Sequence, residues 1–150
     1  AMEAMELYTK IFPDSKIGGV LTYGDGVGNE THEVPENVQH AHFEIDGYSF
    51  FCMDNSYDHK FDFNEAISIV VMTDDQEETD HLWNSLIADG GRASMCGWLK
   101  DKFGVSWQIV PKKLIELMND SDPYKSQKVM QAMMTMQKIV ISDLEQAYQS

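Results

Sequence analysis

The sequence predicts an α+β fold built from two βαβββ modules, and three observations carry the prediction. A weak internal repeat sets Gly47-Tyr48-Ser49-Phe50-Phe51 beside Gly104-Val105-Ser106-Trp107-Gln108, both reading glycine, any residue, serine, aromatic, any residue. The order of elements repeats around it, with a helix and then strands in the first half, and a strand, a helix and further strands in the second. Finally, 150 residues with 43% hydrophobic content suit one compact domain spanning 1–150, able to bury roughly two-thirds of its unfolded surface. Two such modules would curl a mixed sheet into a trough with helices outside, and a trough of this kind is a natural ligand site.

The elements follow in order. Met2, Met5, Leu7, Tyr8, Ile11 and Phe12 recur at three- and four-residue spacing until Pro13 stops the helix. Ile17 to Tyr23 reads as a strand, ended by Gly24 and the polar loop Gly24-Asp25-Gly26-Val27-Gly28-Asn29-Glu30-Thr31, which runs towards Pro35. Gln39 to Asp54 reads as a hairpin turning at Asp46-Gly47, a pair that tolerates the positive φ of a type I′ turn. The first module, 1–57, thus lacks the strand that should precede its helix.

A polar span from Asn55 to Asn64 leads to the second module, 65–112. Ala66 to Thr73, with Ile67, Ile69, Val70 and Val71, is β-rich. Asp74 or Asp75 caps the next helix, whose stripe includes Leu82, Trp83, Leu86 and Ile87 and which ends at Gly90-Gly91. A short segment reaches the Cys96 turn, and the Val105 strand follows. The tail, 121–150, holds a helix from Asp122-Pro123 to Met136, with Pro123 in the first turn, and another from Ser142 with Leu144 and Tyr148 on one side. These tail helices are expected to pack on a sheet.

Charge narrows the partners. Lys and Arg total 11 against 25 Asp and Glu, a formal charge of −14, which repels phosphate backbones and anionic lipid at long range. Nucleic-acid and membrane partners are not expected. No apolar run nears the ~20 residues of a membrane-spanning helix, and the start of the chain lacks the basic and apolar regions of a signal peptide. A cytoplasmic protein follows, with Cys52 and Cys96 as buried thiols rather than a disulfide.

Candidate chemistry is sparse. Strand alternation puts His40, His42, Glu44 and Asp46 on one face and Ala41, Phe43 and Ile45 on the other. Two histidines at i, i+2 suit a zinc ion with a carboxylate, or a general base near neutral pH. A solvated polar face explains the same pattern with less. His32, His59 and His81 fall in loop or helix contexts. Gly24-x-Gly26-x-Gly28 is no nucleotide loop, because Thr31 to Val38, broken by Pro35, cannot form the helix whose N-terminus would meet a phosphate. Cys96 has no basic neighbour in sequence to activate it. Met130, Met133, Met134 and Met136 fit a core or subunit face better than a promiscuous groove.

The stretch Ala4 to Ser15, His40-Ala41, Asp46-Gly47, Phe63-Asn64-Glu65-Ala66-Ile67-Ser68, the block Cys96 to Pro111 and Met130-Gln131-Ala132-Met133-Met134 together resemble the PhnB-like proteins. These are a branch of the vicinal oxygen chelate superfamily of glyoxalases, bleomycin-resistance proteins and dioxygenases, also labelled as a 3-demethylubiquinone methyltransferase domain. The resemblance covers nearly the whole chain. It implies the trough fold and a symmetric homodimer, and says little about reaction.

Superfamily enzymes hold a divalent metal on the first and fourth strands of each module, the fourth-strand ligand sitting four residues past the turn glycine. In this chain that rule lands on Gln108, an amide, and on Phe51, which coordinates nothing; Ala66 stands where a first-strand histidine is expected. No metal or other cofactor is therefore expected. The reading that asks least of the sequence is a noncatalytic protein holding a small organic ligand against Ser49, Phe51, Met53, Ser106, Gln108 and Trp98. The alternative is an isomerase, dioxygenase or transferase type of enzyme using His40 or His42 on a small oxygenated substrate, with or without a divalent ion.

Overall fold

A computed structural model describes residues 1–25 and 33–150. Gly26, Gly28 and His32, singled out in the sequence, lie outside the described residues. The chain divides into two compact units, 1–61 and 62–150, and has the expected α+β class, with helices and two separate sheets.

The first unit runs α1 (Met2–Ile11), β1 (Lys16–Thr22), β2 (Val38–Ile45) and β3 (Tyr48–Cys52), with the strands in the order β1-β2-β3, all antiparallel. Met5, Tyr8 and Ile11, spaced three apart on α1, are buried, as a helix lying on a sheet requires. Ala41, Phe43 and Ile45 are buried with them. Tyr8 stacks on Phe43 at 6.1 Å and Phe43 on Phe50 at 5.4 Å. Asp46 (φ 47°) and Gly47 (φ 79°) form the expected hairpin turn, whose two left-handed residues match the twist of the strands they join.

The second unit runs β4 (Ile69–Thr73), α2 (Gln76–Ile87), β5 (Arg92–Ala93), β6 (Trp98–Lys100), β7 (Ser106–Pro111), α3 (Lys112–Met118), α4 (Pro123–Met133) and α5 (Ile141–Gln149). Its sheet has the order β4-β7-β6-β5, in which only β4 and β7 are parallel. Parity explains this: the α2 crossover returns the chain in its original direction, and two hairpin reversals bring β7 back beside β4 pointing the same way. One parallel pair is not the alternating strand and helix array of a Rossmann sheet.

Side-chain chemistry fixes the ends of these elements. Asp75 caps α2 by accepting from the Glu78 amide at 2.9 Å. The buried Thr73 and Thr79 hydroxyls share a 2.7 Å bond, and Thr79 donates onward to the Asp75 carbonyl, also at 2.7 Å. Cys96 (φ 57°) and Gly97 (φ 82°) make the β5–β6 turn; a Cβ on Gly97 would fall 2.8 Å from the Ile109 carbonyl oxygen. The β6–β7 turn is built on Asp101, only 3% exposed. Its Oδ1 accepts from the amides of Phe103 (2.9 Å) and Val105 (3.0 Å), and its Oδ2 from Trp107 Nε1 (2.9 Å).

Four expectations need correction. The strand expected from Ala66 begins at Ile69, because Asn64 Oδ1 accepts from the Ala66 amide and turns the chain there. The Cys96 to Pro111 block holds two strands, β6 and β7, rather than one. The tail helices pack mainly on one another: Leu114, Leu117, Val129, Ile139 and Leu144 close a core with Val110 at the end of β7, and Met133 and Met136 lie half-buried against it. The helix expected to reach Met136 ends at Met133, and Met130 and Met134 are exposed.

Replacing Asp101 by Asn puts an amide N–H against the Trp107 N–H while sparing the two backbone bonds. Urea unfolding of Asp101→Asn is expected to show a loss of about 1 to 3 kcal/mol, the cost of one buried donor left unsatisfied. Adding Trp107→Phe to Asp101→Asn should cost less than Trp107→Phe alone costs the parent, and additive losses would contradict the pairing.

Candidate functional site

Alternation along β7 separates two faces. Trp107 and Ile109, with Leu99 from β6, are at most 1% exposed, on the face that α2 covers. Gln108 and Trp98 face the other way and are register partners across β7 and β6, as are Ser106 and Lys100. Val70 and Met72 of β4 pair with Gln108 and Val110, and both are well exposed. Arg92 of β5 pairs with Lys100. An open surface of amide, indole, apolar and cationic groups therefore runs across all four strands of this sheet.

The segment before β4 is tied to that surface at two points. Gln108 Nε2 donates to Ser68 Oγ at 2.9 Å, and Lys100 Nζ meets Glu65 Oε1 at 2.6 Å. The hydrogen bond from Lys100 is the main reason that the Glu65 carboxyl is held below its ordinary range. Ser106 lies on the same face, between these two anchors on its own strand and the next. It is 2% exposed and its hydroxyl has no hydrogen-bond partner among the described residues. A buried hydroxyl in that state favours a polar partner supplied by water or by a bound molecule. Beside Lys100, a cavity of about 290 Å³ opens between Glu65, Arg92, Ser94 and Trp98.

The first unit holds the other candidates. Phe51 is the register partner of His42, and Ser49 of Glu44. Both imidazoles lean on the Phe51 ring, His40 at 5.6 Å and His42 at 6.0 Å. Ser49, Phe51 and Met53 are exposed. His42 also lies against Gly18, where a Cβ would fall 2.0 Å from its Nε2. Alternation on β2 is as the sequence indicates, and the histidines share their face with Glu44. Nevertheless, among the described residues no three His, Cys, Asp or Glu side chains converge as a metal site would need.

Gln108 does not fit a divalent ion either. With its NH₂ donating to Ser68, one neutral amide oxygen remains, against the three protein ligands that a catalytic zinc site employs. Cys52 and Cys96 are free, half-buried thiols, and burial pushes Cys52 above its ordinary range.

Ser68, Arg92 and Lys100 did not stand out in the sequence. Ser68 precedes Val70 by two residues, so only the parallel register of β4 with β7 reveals that it reaches Gln108. Arg92 and Lys100 meet through strands two and three residues long, too short to show a period.

Comparisons with known proteins agree with this architecture. Residues 1–110 match the family model described as 3-demethylubiquinone-9 3-methyltransferase. The PhnB protein from Bacillus cereus is 32% identical, with 73% of this chain and 89% of that one covered and a TM-score of 0.66. A Pseudomonas aeruginosa protein is 23% identical over 73% of this chain and 86% of its own, with a TM-score of 0.61, a likeness of fold. None of the curated proteins matches this chain. With that extent of match to the family model and to a solved relative, the chain belongs to the PhnB-like, 3-demethylubiquinone-9 3-methyltransferase family.

Proposed function

We propose that this chain is a small-molecule-binding member of the vicinal oxygen chelate superfamily, holding an organic ligand on the open face of the second unit's sheet without a family-type metal. The observation that carries the reading is the Gln108–Ser68 pair. It presents a pre-oriented amide beside Trp98, Val70 and Met72, and it stands where a metal-using relative would need a carboxylate. An apolar surface with a few fixed polar groups is sufficient for binding. On this reading Gln108 Oε1 accepts a hydrogen bond from the ligand, Trp98 supplies a flat apolar wall, and the buried Ser106 hydroxyl takes a bridging water beneath them.

Ser49, Phe51 and Met53 form a second exposed surface, on the first unit, open to the same class of ligand. Catalysis by His40 or His42 is the alternative, favoured by their shared face with Glu44. Two half-buried free thiols suit a reducing cytoplasm, and no helix among the described residues is long and apolar enough to cross a membrane. Strand β3 ends its sheet with Tyr48 and Phe51 exposed, and we propose that a second copy covers such surface in a homodimer.

Three outcomes are expected. Against small oxygenated compounds that bind the parent protein, Gln108→Leu should weaken binding by about 1 to 3 kcal/mol, roughly 5- to 150-fold by calorimetry; no loss would remove this face as the site. Elemental analysis after dialysis against zinc, nickel, manganese and iron should find well under one metal per chain, unchanged by His40→Ala with His42→Ala. Stoichiometric metal that disappears in the double variant would favour the enzyme. Light scattering at micromolar concentration should give twice the 17.1 kDa monomer mass, and the monomer mass would refute the dimer.

A further inference from the structure

The sheet-face reading leaves the ligand's charge open, and the cavity beside Trp98 decides it. We propose that the ligand is a small monoanion, a carboxylate carried on a planar ring, with the carboxylate against Arg92 and Lys100 and the ring on Trp98. This deepens the binding reading above and rests on it.

The register makes the arrangement. Arg92 and Lys100 are partners across β5 and β6, so their side chains leave the sheet on one face. Trp98 is two residues before Lys100 on the same strand and shares that face. Ser94, just past β5, adds a hydroxyl to the same cavity. A volume of about 290 Å³ is at the small end for ligand sites.

The charges are unequal. Lys100, 24% exposed at its side chain, is engaged by Glu65. Arg92 is the chain's single arginine, and it is exposed. Among the described residues its guanidinium makes no hydrogen bond or ion pair, although it lies near enough to Glu65 to help hold that carboxyl ionised. Among the described residues Glu65 is the only acid on the cavity, so two cations share one carboxylate and a single positive charge is left over. A guanidinium presents paired N–H donors in the geometry of a carboxylate's two oxygens, and an indole face accepts a planar ring. The chain's formal charge of −14 opposes an anion at long range, but salt screens that field beyond ~8 Å, and the groups inside the cavity act within it.

Benzoate and its uncharged analogue benzamide separate charge from shape. Each is titrated into the full chain, with binding followed by the Trp98 indole N–H resonance and by calorimetry. Benzoate is expected to shift that resonance and to bind at least tenfold more tightly than benzamide. Arg92→Gln should abolish the preference, and Arg92→Lys should retain part of it. Equal binding of the two probes, a preference that survives Arg92→Gln, or silence of both probes at Trp98 would each overturn the anion inference. Gln108→Leu reads the parent proposal separately. If that variant weakens benzamide while no preference for benzoate exists, neutral binding stands and the anion inference falls; if only Arg92→Gln has an effect, the anion stands and Gln108 is not a contact.

Discussion

The buried carboxylate of Asp101 is the constraint on which the second unit's surface depends. Three N–H groups from the turn and from β7 converge on it, and a charged acceptor strengthens each bond relative to a neutral one. The turn closes further through Gly104 N to Asp101 O and Asp101 N to Val105 O, both at 3.0 Å. This fixes where β7 begins and therefore its register against β6. A slip of one residue would carry Gln108 to the α2 side and Trp107 into solvent, because side chains alternate strictly along a strand. The pairing of Trp98 with Gln108 is thus held from below, by a group that touches no ligand.

The rest of the unit steadies the same strand from its other end and its flanks. Val110 closes the α3–α5 core, so β7 is anchored at one end by apolar packing and at the other by Asp101. Gln76 at the start of α2 clasps the tail: its Nε2 donates to the Ile139 carbonyl at 3.1 Å and its Oε1 accepts from the Ile141 amide at 2.8 Å. The Cys96 and Gly97 amides donate to the Met136 and Gln137 carbonyls at 2.7 and 2.8 Å, so the tail also supports the β5–β6 turn. Anchoring of this kind holds the amide and indole in place, which on the proposed reading would lower the ordering cost of binding.

What the sequence made legible was local. Asp46-Gly47 and Gly104 declare positive φ through residue type, so the hairpin turn and the internal repeat were visible without any tertiary information. Helix α2 announced itself through its Asp cap and apolar stripe. Helix α3 did not: Lys112–Met118 starts directly from Pro111 with no side-chain cap and spans only seven residues. The strand pattern placed Ser106 on the face of Gln108, but it could not show that Glu65 and Ser68 tie a covering segment down around it, since that depends on contacts about forty residues apart in sequence. Arg92 belongs to the same class of residue, meaningful only once β5 is laid beside β6.

The two copies of the repeat have diverged in the strand that follows the turn glycine. Gly47 and Gly104 both adopt left-handed φ, at 79° and 88°, and each opens the last strand of its βββ run. Four residues on, one copy carries Gln108 bonded to Ser68, and the other carries Phe51, a ring against which His40 and His42 rest. An aromatic neighbour and the Gly18 backbone give His42 a packed environment that explains its presence without a ligand to hold. The Gln108 NH₂ ties Ser68 down, whereas its amide oxygen lies on the open side of the sheet beside Trp98, where the proposed ligand would meet it. On the binding reading proposed above, a bound molecule is the partner that would complete the surface of the second copy.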